Sequence, residues 1–554
     1  MLPDALRNVL IRLGSLWTTV QVEHHGRYSV ERLYYMNSYI ERTSWWRVLA
    51  VHFSSIVPCL VLNTLIESIP LRPITEGVGA SHTFWARATI VVHIMAFTAL
   101  EQYRLLIPSL PSSRWQIVKM TVIMGTGSVI GEYALARWIG YPVPFLLITA
   151  SPPYVILMAG CVAVAWGKYL KQNPKVMLEL KSYQNVISVV FLLVFMYPAY
   201  NYLFVRLTPT QQTWFTLLLP VIKLIAKNAI SPFCKYIEDF KPEAVIFNVE
   251  IFHAFFVAMC MQTATSYRTT ALLMLMDFVH ACLSLWDIVD IVNHIQHLSA
   301  KLIARKEAEG QSAAQSHSLS DLCDHVLGLV KADPSLQDIG NIRITSRLAT
   351  KNPPTVFLVA QANSVVPMAP NIPPRKPVDR SRRRSTFDVT KIPDPLTAAE
   401  QHTLMQSLDV QDRAAYVASV LKLLHLVEFV VLVEFTEVII PFIYCIYLYV
   451  TYYLPNGVFH MQLRGLDEAE LHRTLGNVLL YAGLELLSLL ILQILIYRKI
   501  QLSPAHQLAF VLEKQWTLVQ LKLNVWFLFM IQLSVDHFGM DYSFQFAWLK
   551  GFRV

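Results

Sequence analysis

The chain has 554 residues, of which 54% are hydrophobic and only 15% charged, where soluble chains carry roughly 25% charged residues, so it is too poor in polar side chains to clothe a soluble core of this size. Its net charge of +8 is gathered into a few basic segments, which argues for a membrane face and against nucleic-acid binding. Seven cysteines without paired spacing argue against a disulfide framework or a thiolate metal site.

In chain order, residues 1–45 form a polar N-terminal segment that starts with charge and lacks the pattern of a cleavable signal peptide. Within it Leu6, Val9, Leu10, Leu13, Trp17 and Val20 recur at helical spacing with Arg7 and Arg12 on other faces, which predicts an amphipathic helix lying on the inner leaflet. Eleven apolar stretches follow, near 46–68, 84–106, 117–139, 143–166, 185–205, 213–231, 244–262, 270–292, 421–453, 474–497 and 518–536. Each is about the 20 residues needed to cross a bilayer. Alternating strands of about ten residues, the mark of a membrane barrel, are not seen. The fold class predicted is all-α: a polytopic integral membrane protein of about 11 transmembrane helices in an 8 + 3 arrangement. The first bundle covers 46–292, a cytosolic and largely disordered insert 293–420, the second bundle 421–536 and a tail 537–554.

Lys and Arg counts orient the chain. Arg7, Arg12, Arg27, Arg32 and Arg42 precede the first span, and the second, fourth and sixth loops are basic, whereas the loops between them hold one basic residue each: Arg72, Arg137, Arg206 and Arg268. Because basic residues are retained on the cytoplasmic side, the N-terminus and the insert are expected in the cytosol. The choice between plasma membrane and endomembrane stays open.

The insert is rich in Ser, Ala, Gln, Asp and Pro, a composition that cannot bury enough apolar surface to fold alone. Pro370, Pro373 and Arg375 match a ligand for a domain that binds Pro-rich segments, or form an extended tether. Arg382, Arg383 and Arg384 lead into Ser385, a pattern suited to a basophilic kinase or to anionic lipid, or an ordinary solvated charge run.

Ionisable residues in mid-span are the main functional candidates, because charge in hydrocarbon costs several kcal/mol unless paired or wetted. Counting residues from the span ends puts Lys223 and Glu250 at similar depth, a possible ion pair, with Lys227 one turn from Lys223. His253 follows Glu250 by one turn, and Asp277 and His280 repeat that spacing on the next span, with His93 at comparable depth. Two carboxylate-x-x-His pairs are also what di-metal helical bundles use, so a metal site, a proton- or cation-handling network and a structural polar core all remain open. The second bundle adds Glu428, Glu434, Glu437 and Glu485, and the first adds Glu132. This surplus of acids favours a cation or proton path over an anion path. Gly127 and Gly131 predict close helix packing.

Phosphate-loop, dinucleotide, zinc-protease and nucleophile-elbow motifs are not found, so no cofactor is expected. The expectation is against an enzyme, with a motif-less intramembrane transferase as the exception.

Several stretches carry a likeness to a known group: Ile69 to Gly77 (IPLRPITEG), Leu219 to Lys227 (LPVIKLIAK), Val257 to Ala264 (VAMCMQTA), Val433 to Pro441 (VEFTEVIIP), Gln507 to Glu513 (QLAFVLE) and His537 to Leu549 (HFGMDYSFQFAWL). In these the chain resembles a multi-span membrane protein family abundant in oomycetes. The resemblance implies a shared polytopic fold split by a variable insert and brings no catalytic residue with it.

The functional expectation is a secondary transporter or channel-like protein that handles a cation or protons, with Glu250, His253, Asp277 and His280 as the polar path and Lys223 as counter-charge. Inverted repeats, common in transporters, are not evident. The alternative is a receptor or scaffold that acts through its insert.

Overall fold

The structure is a computed structural model and describes residues 20–234, 241–263, 267–308, 319–332, 410–541 and 546. Among these residues helix dominates, and the β features reduce to one isolated bridge between His460 and Val535. Among the described residues, nine helices are long and apolar enough to cross a membrane.

The chain enters through α1 (Val30–Arg42), whose first turn is capped by the Ser29 hydroxyl accepting from the Arg32 N–H. The first apolar stretch is two helices, α2 (Trp45–Ser54) and α3 (Val57–Glu67). Pro58 has no N–H to offer the Ser54 carbonyl, which is where the first helix stops. Then come α4 (His82–Leu106), α5 (Arg114–Ile139), α6 (Ser151–Gln172) and α7 (Pro174–Arg206). The sixth stretch is likewise divided, into α8 (Pro209–Phe215) and α9 (Leu218–Ile230). The first half closes with α10 (Lys241–Thr263) and the long α11 (Tyr267–Ala308).

The insert is not wholly without structure. Residues Leu319–Ala332 form α12, which buries Cys323, Val326, Leu327, Leu329 and Val330 and packs against α1 and the next long helix, with Asn37 Nδ2 donating to Asp324 Oδ1 at 3.0 Å. Its apolar residues recur at helical spacing, so this segment has a buried face of its own. The expected amphipathic helix before Val20, the Pro-rich stretch and Arg382 to Ser385 lie outside the described residues.

After the insert come α13 (Val410–Tyr453), α14 (Glu468–Ile500), α15 (Pro504–Lys514) and α16 (Trp516–Gln532). Two expected spans, 117–139 and 518–536, are helical as α5 and α16 but are not among the nine. The first carries Lys119, Glu132 and Arg137, and the second is 17 residues long.

Helices from both sides of the insert interleave. α10 and α13, apolar on nearly every face, lie against each other and are buried along almost their whole length, with α3, α9, α11, α14 and α16 around them. One apolar core runs through both halves of the chain. Gly539, at φ +62°, closes the C-terminal side: a Cβ there would fall 2.1 Å from the Val143 carbonyl oxygen, and its own carbonyl accepts from the Phe145 N–H at 2.9 Å.

Candidate functional site: a buried carboxylate and lysine network

The centre of the molecule holds charged side chains from five helices. On α9, Lys223 and Lys227 stand one turn apart on the buried face. Lys223 Nζ lies 2.9 Å from Glu250 Oε2 of α10 and 2.6 Å from Glu437 Oε1 of α13, and Lys227 Nζ lies 2.6 Å from Glu250 Oε1. Glu250 thus receives one ammonium on each oxygen, and the depth count that set Lys223 against Glu250 agrees with this geometry. Lys227 also lies over the Phe429 ring, 5.3 Å from its centroid, a position that the negative ring face favours.

Around Glu437 the sign changes. Glu434, Glu437 and Glu485 of α14 have carboxylate oxygens within 4.8 Å of one another, all buried. The Ser488 hydroxyl donates to Glu434 Oε2 at 3.1 Å. Tyr481, one turn before Glu485, lies within electrostatic reach of Glu485 and of Asp277, the latter half-buried on α11. Pro441 lies inside α13 and has no N–H for the Glu437 carbonyl, which loses its usual helical donor beside the cluster.

Five carboxyl groups, Glu250, Asp277, Glu434, Glu437 and Glu485, therefore share this region with two ammonium groups, Lys223 and Lys227. His253 is buried one turn from Glu250, within electrostatic reach of Lys223 and His280, and its enclosed Nδ1 has no hydrogen-bond partner among the described residues. His280 is half-buried and lies within reach of Lys223, Lys227 and Glu250.

Three candidate sets fare differently. Among the described residues, the carboxylate-x-x-His pairs do not converge as a donor set, whereas Glu434, Glu437 and Glu485 do. The all-oxygen chemistry of these three suits a hard cation, but Lys223 already places a positive charge 2.6 Å from Glu437. His93 is remote from this network: it sits on α4 against Gly125 of α5, its Nδ1 donating to the Thr89 carbonyl at 2.7 Å. Glu428 leaves the acid cluster to pair with Arg32.

Two further ionic knots were not read from the sequence. Arg32 Nη2 lies 2.8 Å from Glu243 Oε1 and 2.6 Å from Glu428 Oε1, with the Tyr28 hydroxyl donating to Glu428 and Gln507 Nε2 donating to that hydroxyl at 2.7 Å. Near the far end of α13, Arg87 holds Glu67 in a two-pronged grip at 2.9 and 2.6 Å, while His460 Nε2 and the Tyr447 hydroxyl each lie 2.7 Å from the same carboxylate. Arg32 counts in the sequence as a basic residue before the first span, and Glu67 and Arg87 fall near span ends, so only the pairing of distant segments reveals them.

Comparison of the chain with models of protein families, with curated proteins and with solved structures finds no match.

Proposed function

We propose that the chain is a polytopic membrane protein, a secondary transporter or channel-like protein, whose central network takes up and passes protons or a small cation. The observation that carries this reading is the excess of three carboxyls over ammonium groups among Glu250, Asp277, Glu434, Glu437 and Glu485. Buried carboxylates without counter-charges are costly, so they hold protons or attract a cation, and a group that binds a proton in apolar surroundings can release it when its surroundings change.

The membrane reading draws on the exposed apolar side chains, among them Phe53, Val164, Phe278, Leu480 and Ile494, which suit contact with lipid. On α5, Trp115 and Trp138 are 77% and 84% exposed near opposite ends, about 34 Å apart along the axis at 1.5 Å per residue. That separation matches a bilayer core with aromatic anchors at both interfaces, and it supports counting α5 as a span. Adding α16, buried against α3, α4 and α10, gives eleven crossings as 8 + 3, with the N-terminus and the insert cytosolic by the distribution of basic residues. The resemblance to the oomycete multi-span family agrees with this architecture and adds no activity.

The test is flux. The full chain in proteoliposomes loaded with a pH-sensitive dye should pass protons, alone or exchanged for a cation. Glu437→Gln, Glu485→Gln, Glu250→Gln and His253→Ala should abolish or sharply lower that flux while leaving membrane insertion intact. Unchanged flux in all four variants rejects the network as a path. A second reading, a receptor or scaffold, has one observation in its favour: the insert places α12 against α1 and α13. It requires that deleting residues 352–395 remove the cellular phenotype while mid-helix substitutions leave it.

A further inference from the structure

A second set of buried polar groups lies outside the central network, on the seam where α5 packs against α4 and α6. α5 turns Thr121, Ser128 and Glu132 to its buried face, and Ser128 and Glu132 are 1% and 4% exposed. Thr121 Oγ1, Ser128 Oγ and Glu132 Oε2 are enclosed and have no hydrogen-bond partner among the described residues. Two contacts give the register of the seam: His93 of α4 lies where a Cβ on Gly125 would come within 2.6 Å, and the Trp85 and Tyr133 rings meet at 5.1 Å. Glu132 is therefore about 10 Å along α5 from the His93 contact, with Ser128 between them on the same face.

The neighbouring charged and titratable groups supply no counter-charge. On α4, His93 donates to the Thr89 carbonyl at 2.7 Å and meets the Thr126 hydroxyl at 3.4 Å, while Arg87 is committed to Glu67. From α6, Pro153 and Leu157 approach α5 at Gly131 and Gly127. Lys119 and Arg137 of α5 itself are exposed on its other faces. An ionised carboxylate left unpaired in such a place costs several kcal/mol, so the seam accommodates the neutral acid.

We propose that Glu132 is a proton-binding carboxyl, a second and peripheral site separate from the Lys223 and Glu437 network, with Ser128 and then His93 as the next groups along the seam. It stands whether or not the central network conducts.

The experiment uses the full chain in lipid vesicles. Infrared spectroscopy should record a carboxylic-acid C=O stretching band that Glu132→Gln removes; the amide is neutral and nearly isosteric, so the variant keeps the packing. A band set unchanged by Glu132→Gln at every pH from about 5 to 9 overturns the proposal. Treatment with an apolar carbodiimide gives an independent reading. The acid proton moves to a carbodiimide nitrogen, the carboxyl oxygen bonds to the central carbon, and acyl migration to nitrogen leaves a stable N-acylurea with no group lost. Peptide mapping should find that adduct on Glu132 in the native chain and not in Glu132→Gln; a Glu132 peptide left unmodified while the C=O band is also insensitive to the substitution rejects the site.

Discussion

Lys223 and Glu437 stand 214 positions apart, on opposite sides of the insert, and meet at 2.6 Å in the middle of the molecule. The pair is asymmetric in its surroundings. Lys223 serves two carboxylates, whereas Glu437 belongs to a group of acids that already exceeds its counter-charges. Removing the cation leaves Glu437 and its acidic neighbours less compensated, so Lys223→Met should cost about 3–5 kcal/mol. Glu437→Gln relieves repulsion among Glu434, Glu437 and Glu485 while keeping a hydrogen-bond acceptor for Lys223, and its effect should stay within about 1 kcal/mol. Thermal unfolding in detergent, read by tryptophan fluorescence, checks this; equal losses in the two variants would contradict the asymmetry.

The Arg87 and Glu67 pair behaves differently because nothing is in surplus there. Both side chains are fully buried, and Glu67 also accepts from Tyr447 and contacts His460. Glu67→Gln strands a guanidinium beside Gln532, which accepts from it at 3.1 Å but carries no charge. A loss of about 3–5 kcal/mol is expected. The double variant Glu67→Gln/Arg87→Met should be less damaged than the sum of the singles, since groups in one network are not additive. Strict additivity in that cycle would show the two residues to be energetically independent.

Arg32 joins α1 to α10 and α13, its Nη2 contacting both Glu243 and Glu428. Its guanidinium also lies over the Tyr28 ring at 5.1 Å and near the Phe510 ring at 5.9 Å. Lysine keeps the charge but loses the planar group that stacks between rings, so Arg32→Lys should recover less than half of the stability lost in Arg32→Leu. Full recovery by lysine would reduce the site to a point charge.

What could be read from the sequence follows how each feature is encoded. The helices were legible because their apolar runs are long, and the pairing of Lys223 with Glu250 because both depths can be counted from neighbouring span ends. Glu437 as a second partner was not legible: its distance to Lys223 depends on how α13 returns across the insert to lie against α10. The breaks at Pro58 and Pro220 carried a visible signal, a proline without the N–H its helix needs, hidden by the continuous hydropathy around it. His93 was grouped with the network by depth alone but lies on another seam, against Gly125, because depth along a helix says nothing about which neighbour its face meets.

Acid sensitivity should have a contribution from His537, which lies beyond α16. Its ring stacks on Phe84 and meets Phe459 edge-on, and its Nε2 donates to the Arg72 carbonyl at 2.7 Å. Burial, with the Arg87 guanidinium and the His460 ring nearby, pushes the imidazole down to about 4 from its ordinary 6.5, against the pull of the Arg72 carbonyl. The folded chain thus binds this proton less readily than the unfolded chain. Stability from this group is complete above pH 6.5, declines as the pH falls from there to about 4 and is constant below; the full loss is about 3 kcal/mol. His537→Gln should flatten that part of the stability profile, and an unaltered slope would assign the acid sensitivity to other groups.

Lys522 provides the opposite test. It is buried on α16, donates to Asn248 Oδ1 at 2.8 Å and lies 5.9 Å from the Tyr183 ring centroid, and among the described residues no carboxylate comes within ion-pair distance of it. An ammonium held by one neutral oxygen recovers little of its lost hydration. Lys522→Met keeps the length and apolar stem of the side chain, and Asn248 Oδ1 retains a donor in Trp526 Nε1 at 3.2 Å. Substitution of this lysine should therefore raise the unfolding midpoint, by a free energy on the order of 1–3 kcal/mol. If the variant is instead destabilised by a similar amount, the ammonium has an anionic partner in the working protein, and that partner should be sought by mass spectrometry of lipids and small anions retained through purification.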